Sequence, residues 1–572
     1  MNKTHAKRLL SLILAFATAG ACTSVAYCSE ETVQIGTASE LVQYRELINS
    51  GIQKDAVLTA DIDLNELETE WTPIGNTKDN QFSARFDGGG YRISGLHSTG
   101  NPDLNGLFGY TNKDSVIENL SVEGTVQGKS AGGIAGISYG LIQNCTSLVC
   151  VNAESYAGGI AAMSYGTIDS CANFGEITAN VNYAGGITGH TTTPVNRSQN
   201  YGFVSGNSYI GGITGYGASM SQNANYGRIT SVGEFCGGVA GMIKGIRNTA
   251  PNIQIDNCTN KGEIHAAKDA GGVFGSVFYG FVSITNCVND GNVTGSGEWI
   301  GGVIGSTSYW EYDGTFAISQ CANRAAVHSV GNYAGGIVGN MLVGDISDSY
   351  NTAPVTSVLT SGGIVGFAHK GTTTIKNTFN YSNNTLCFSN ASCENVYALN
   401  SSVTAQKKTK EEFQNGTVLG LLNHDDLWVQ GADYPVLQGI STISGIKTAA
   451  ELKAALADPD ITTIELAANI DVNETLKVNR SITVNGNGYQ INGADTVFEV
   501  TSADFTLHEI ALSGGTVFIR ADTSNIYISG IVRMYNSEDI AIRLDQSRLF
   551  IPDNAVFFTM PGYAVSSDTE QA

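Results

Sequence analysis

Through the middle of the chain, apolar residues come in short alternating runs broken by glycine pairs and polar turns, with none of the i, i+3, i+4 spacing of a helix. The motif Gly-Gly-(Ile or Val)-x-Gly begins at Gly132, Gly158, Gly185, Gly211, Gly237, Gly271, Gly301, Gly335 and Gly362, with Ala162 replacing the last glycine of the second copy. A related Gly106-Leu107-Phe108-Gly109 precedes them. Successive spacings are 26, 27, 26, 26, 34, 30, 34 and 27 residues, the longer ones carrying insertions such as Gly245 to Asn252. Half a repeat later a second column aligns: Cys145, Cys171, Cys258, Cys287 and Cys321, each three residues after an isoleucine, with Ser198, Asn223, Ser349 and Thr378 in the other copies. Two residues further on stands Asn173, Asn200, Asn225, Asn260, Asn289, Asn323, Asn351 or Asn380; only the first copy departs, with Ser147.

A repeat of this length holds several short strands and turns but cannot bury its own apolar face. Stacking the repeats as coils solves this, because each strand then pairs with its equivalent in the next coil at ~4.8 Å. Like side chains fall above one another. A stacked asparagine column in left-handed turn positions can pass amide hydrogen bonds from coil to coil. Glycine pairs supply positive-φ corners and close backbone approach, and small thiols and hydroxyls fill a narrow interior column. The fold class that follows is all-β: a right-handed parallel β-helix (β-solenoid). A helical repeat would need strong helix formers on a 3.6-residue period, and a propeller would need longer four-stranded blades.

The flanks divide the chain further. Residues 1–28 read as an export signal: Lys3, Lys7 and Arg8, then the apolar Leu9 to Ala19, then small residues through to Cys28. A lipoprotein cleavage at Cys22 is the lesser alternative, because Ala19 stands where leucine is usual. Residues 29–100 form a cap and opening coils, with an amphipathic helix from Ala38 to Gly51 covering the open end. Residues 101–400 are the repeats and 401–444 a closing segment, helical over 405–423. A second, smaller β-helix-like module spans 445–572. Its Thr448-Ala-Ala-Glu451-Leu452 echoes Thr37-Ala-Ser-Glu40-Leu41, and its Gly486-Asn-Gly-Tyr489 echoes Gly88-Gly-Gly-Tyr91.

Charge narrows the partners. The formal net charge is −22, with 52 acidic against 30 basic residues and no basic stripe, so nucleic acid and anionic membrane surfaces are poor partners and none is expected. No later stretch is long and apolar enough to span a membrane. Nine cysteines follow the signal, an odd number that makes a poor disulfide framework; Cys387 and Cys393, close together in an Asn- and Ser-rich stretch, are the candidates for a small loop bridge.

β-Helices can carry polysaccharide chemistry, which needs convergent carboxylates or acidic Ca²⁺ ligands beside a basic group. Asp61, Asp63 and Asp87 read as turn formers, and Asp425-Asp426 as a loop. His508-Glu509 is followed by Leu512 where a zinc-binding HExxH motif would place its second histidine. The expectation is therefore no catalytic residue, no metal and no cofactor. One column stands apart: an aromatic two residues before the glycine pair, at Tyr156, Tyr183, Tyr209, Phe235, Trp299 and Tyr333, broken by Asp269 and Thr360. Facing outward it would offer a ladder to sugar rings; facing its neighbours it would simply stabilise the sheet.

The Gly-Gly-Ile-x-Gly series resembles the GLUG-motif repeats of bacterial surface proteins. The opening segments Leu58–Leu64, Trp71–Gly75 and Phe86–Leu96 and the closing Lys410–Phe413, Leu421–Asn423, Trp428 and Tyr434–Leu437 extend that resemblance over about residues 33–440. It implies a secreted or cell-surface β-helix, often adhesin-like, and no reaction. GLUG repeats also resemble parts of large immunoglobulin-cleaving metallopeptidases, whose protease portion this chain would lack. The second module resembles the start of a pectate-lyase-like β-helix. The expectation is a monomeric, extracellular or surface-held binding protein for glycans or matrix proteins; a carbohydrate-active enzyme and a passive stalk are the alternatives.

Overall fold

A computed structural model describes residues 32–567 apart from short internal stretches, the longest being 246–252 and 308–313. The export signal with Cys22 and Cys28, the pair Asp425-Asp426, and the side chain of Cys387 with its expected bridge to Cys393 lie outside the described residues.

The chain enters through a short strand, Val33–Ile35, and a helix, Ala38–Asn49. Thr37 caps that helix by accepting the Glu40 N–H at 3.2 Å, and Glu40 accepts the Gly36 N–H at 2.8 Å, so both ends of the Thr-x-x-Glu pattern satisfy donors the first turn leaves open. Leu41, Tyr44 and Ile48 bury one face, and the Tyr44 ring packs against Phe86 of the coils at 5.9 Å.

From there to Lys407 the strands join one 49-stranded sheet wound as a parallel β-helix. One interior row shows the register: Phe86, Ile117, Ile142, Ile168, Val195, Met220, Ile255, Ile284, Ile318, Ile346 and Ile375 each pair with the next. All are buried. Parallel β-structure buried from solvent reads as unbroken Ile and Val columns for this reason.

The asparagine column forms the expected ladder. From Asn173 to Asn380 each Nδ2 donates to the next coil's Oδ1 at 2.7–2.9 Å, and each also donates to the carbonyl two residues on, as Asn260 does to Gly262 at 2.9 Å and Asn380 to Ser382 at 3.4 Å. None of the eight is exposed. Two expectations about backbone need correcting. The ladder asparagines are not left-handed; the left-handed residue is the one just before the cysteine column, such as Asn144 (φ 52°), Ser170 (φ 53°), Arg197 (φ 49°) and Gln222 (φ 56°). Nor are the repeat glycine pairs positive-φ corners. Their role is space: a Cβ on Gly238 would lie 2.2 Å from Asn260 Cγ and 2.2 Å from the Gly272 carbonyl. The glycine and asparagine columns are thus one device, each second glycine leaving room for a ladder amide.

The cysteine column packs inside as expected. Each thiol lies against the carbonyl two residues before it, as Cys145 does to Gln143 at 3.2 Å. Burial pushes the Cys145 and Cys287 thiols well above their usual range, which keeps them protonated and inert.

The closing segment combines two short helices with a two-stranded sheet. Its helices Lys410–Gln414 and Thr417–Leu422 and its antiparallel pair Trp428–Gln430 and Pro435–Leu437 lie along a flank of the solenoid rather than across its end. Phe413, Val418, Leu422, Trp428 and Leu437 cover an outward row of Val288, Ala322, Tyr350, Phe379 and Tyr397. The row is aromatic only under that cover.

The second module opens with Thr442–Ile446 and a helix, Ala449–Ala457. Thr448 and Glu451 repeat the capping pattern of Thr37 and Glu40, with Glu451 accepting the Lys447 N–H at 2.9 Å. Its strands separate into three parallel sheets of six, five and five strands around their own core. Ile470, Ile491, Leu512 and Met534 pair in turn, coils of 21, 21 and 22 residues.

Candidate functional site

The expected aromatic column exists, and its backbone is unusual. Tyr183, Tyr209, Phe235 and Trp299 all sit at positive φ, 56°, 58°, 63° and 64°, where bulky residues are rare. Tyr156 stacks on Tyr183 at 4.9 Å and 4°, and Tyr183 on Tyr209 at 4.8 Å and 24°. A parallel column from the end of the glycine motif, His190, Tyr216 and Met242, braces them. Tyr183 meets His190 edge-on at 6.1 Å and Tyr216 at 6.2 Å. The ring faces are therefore occupied by other rings, and what the half-buried tyrosines offer outward is their edges and hydroxyls. Burial raises the Tyr183 and Tyr209 phenols and pushes Tyr216 up to about 12, so all three remain donors.

The other members of the column differ. Phe235 is 7% exposed, tilted against Tyr209 at 5.0 Å and edge-on to Phe278 at 5.8 Å, so it presents little surface beside the half-buried tyrosines. Trp299 and Tyr333 are half-buried, Tyr333 tilted against Phe367 at 5.1 Å. Between the two runs stands Asp269, fully buried and itself left-handed (φ 50°). Ser306 Oγ donates to its Oδ1 at 2.8 Å, while Oδ2 has no hydrogen-bond partner. Burial pushes its carboxyl up to about 7, against the opposing effects of Ser306 and Lys268.

A second aromatic ladder lies on the flank that the closing segment partly covers. Phe174, Tyr201 and Tyr226 each follow a ladder asparagine, and their rings stack at 4.7 Å and 1° and at 4.7 Å and 6°. Lys261 Nζ lies 5.5 Å from the Tyr226 ring centroid. Sequence reasoning followed the asparagine column and stopped one residue short of this signal. Opposite stands the second module, whose row Glu465, Asn485 and His508 runs coil to coil along one sheet. The Tyr201 hydroxyl donates to Gln199 Oε1 at 2.6 Å, and Gln199 Nε2 donates to Glu465 at 2.9 Å, tying the two walls together. Between them is a cleft of about 1070 Å³. It is also lined by Arg197, Asn487, Tyr489 and Glu509.

The remaining candidates resolve into turns. Asp61 accepts the Arg92 N–H at 2.8 Å, Asp63 that of Asn65 at 3.0 Å, and Asp87 that of Gly89 at 2.9 Å while pairing with Arg85 at 3.0 Å. His508 and Glu509, side by side with Nε2 and Oε1 4.0 Å apart, are brought into the cleft. Among the described residues no three His, Cys, Asp or Glu side chains cluster as a metal site, and no helix is long and apolar enough to cross a membrane.

Comparison with curated proteins gave no match. Among solved structures, a "putative immunoglobulin A1 protease" from Bacteroides ovatus is 16% identical with a TM-score of 0.32, over 72% of this chain and 93% of that one. The PL6 family alginate lyase AlyGC is 10% identical with a TM-score of 0.24, over 93% of this chain and 81% of that one. Residues 444–546 match the model of a "putative pectate lyase-like adhesive domain", and to that family the second module is similar.

Proposed function

We propose that the protein is an exported solenoid of the GLUG-repeat kind that binds extracellular glycans or matrix proteins without altering them. The observation that carries this reading is the half-exposed row of Tyr156, Tyr183 and Tyr209, a repeated edge of phenol hydroxyls on a rigid scaffold. Rows of tyrosine suit recognition because each side chain offers apolar area and a polar tip at low entropic cost. The likeness of residues 444–546 to an adhesive domain supports the same direction, as does an acidic surface suited to a secreted chain. The test is a glycan and matrix-protein array on the chain from residue 29, with ligand mass followed over time. Retained, unaltered ligand whose binding falls on Tyr183→Ala and Tyr209→Ala is the expected result.

A carbohydrate-active enzyme is the second reading, favoured by one observation: Glu465 and Glu509 both line the inter-module cleft. Glycoside cleavage uses a pair of carboxyl groups flanking the bond, yet Glu465 already accepts a hydrogen bond from Gln199. Shortened or unsaturated products on the same array would replace the binding reading with this one.

A further inference from the structure

We propose that the cleft between the two modules is a binding site for a neutral oligosaccharide, separate from the tyrosine row above. The inference rests on the glycan-binding reading and gives it a second site and a ligand class.

Size comes first. At about 1070 Å³ the cleft is as large as the upper range of ordinary small-molecule sites, which run to roughly 1,000 Å³. It crosses several coils of each module, so its shape suits a chain rather than a compact ligand.

The lining sets the chemistry. Amides and hydroxyls predominate, among them Thr483, Asn485, Asn487 and Thr506, the donor and acceptor mixture that sugar hydroxyls complement. Two exposed rings provide apolar area: Phe174, which is 51% exposed at the end of the stacked run, and Tyr489, 40% exposed from the facing wall. Tyr489 differs from the ladder tyrosines in that no ring among the described residues stacks on it, which leaves its face open to the apolar face of a sugar.

Charge separates neutral from acidic glycans. The basic side chains at the cleft are Arg197, which is paired to Asp169, His508, with Glu509 beside it, and, just behind the lining, Lys261 against the Tyr226 ring. Glu465 and Glu509 are the anions. Uronates, sulfated sugars and phosphates would meet carboxylates with no guanidinium uncommitted, a like-charge arrangement that rejects them. A neutral chain meets no such cost.

The test is calorimetric titration of the chain from residue 29 with hexasaccharides of β-glucan, chitin and mannan, against oligogalacturonate and oligoalginate. At least one neutral hexasaccharide is expected to bind, with little dependence on added salt, and to bind roughly tenfold more weakly to Tyr489→Ala and Phe174→Ala. Both side chains are exposed, and unchanged circular dichroism establishes that the variants fold. Tyr489→Trp should restore or strengthen binding. Preference for the uronates, binding unchanged in the cleft variants, or no binding by any neutral hexasaccharide overturns the proposal. Array binding lost on Tyr183→Ala and Tyr209→Ala but kept in the cleft variants would overturn the cleft site alone and leave the broader reading standing. An array with no ligand at all would sink both.

Discussion

The two modules stack parallel coils in different ways. In the first, every coil from Asn173 to Asn380 carries a buried amide bonded to its neighbour, and a glycine placed to admit it. In the second, three sheets close around Ile, Leu, Val and Phe. Apolar packing tolerates swaps of similar volume, whereas a buried polar ladder requires every member to be satisfied. The first module should therefore be intolerant at its marked positions and the second forgiving. The spelling of the repeats agrees: the demanding module is the one whose columns repeat residue for residue.

The sharpest way to break this contrast is at Gly238. A methyl there meets the Asn260 side chain and the Gly272 backbone at 2.2 Å, and neither can withdraw without parting the ladder. Gly238→Ala should destabilise the first module by more than about 5 kcal/mol. Chemical denaturation followed by circular dichroism measures it, and a loss below about 1 kcal/mol would mean the ladder bends freely.

A smaller effect of opposite sign is expected at Asp269, where the aromatic column fails. Its carboxyl ionises near 3.8 when unfolded and near 7 when folded. Between these values the unfolded chain has released the proton and the folded one retains it, so stability falls as pH rises from about 4 to 7 and is level above. Asp269→Asn removes that slope and should stabilise the first module at pH 8 by about 2 kcal/mol, the ionisation cost at about 1.36 per pKa unit less that of a buried amide N–H where Oδ2 has no partner. The groups that modulate it are Ser306, Lys268, Glu234 and Glu298. Denaturation midpoints at pH 5 and pH 8 decide: an unchanged slope in the variant assigns the pH dependence elsewhere.

The smallest effect belongs to the second module. Ile491 is buried in its middle sheet, and Ile491→Val should cost about 1 kcal/mol, as for other single-methyl deletions. The loss should appear only in the second module's own transition. A shift of the whole unfolding curve would show that the modules melt as one unit and that the comparison between them has no thermodynamic meaning.

What could be read from the chain follows the same division. Repetition made the solenoid, its asparagine ladder and its cysteine column legible, because each is a local rule restated in every coil. The backbone roles were harder. Asn260 and Gly238 were seen as columns, but that one makes room for the other depends on which residues meet across the coil. Tyr489 was noticed only as an echo of Tyr91, and its place in a cleft with Phe174 depends on how the second module folds back, a contact across more than three hundred residues. The closing segment was recognised, but the surface it covers was not, because covering an end and covering a flank demand the same apolar residues.

One property of the ladder has a further consequence. All its amide bonds point the same way, from Asn173 toward Asn380. A single amide cannot be reversed without setting two N–H groups against each other, so the orientation chosen at one end is imposed on every coil. Nothing in that rule depends on how many coils there are. Duplicating or deleting one coil lengthens or shortens the rod by ~4.8 Å and asks for no new contact, which makes length a quantity that evolution can adjust by copy number while the surface chemistry is left alone.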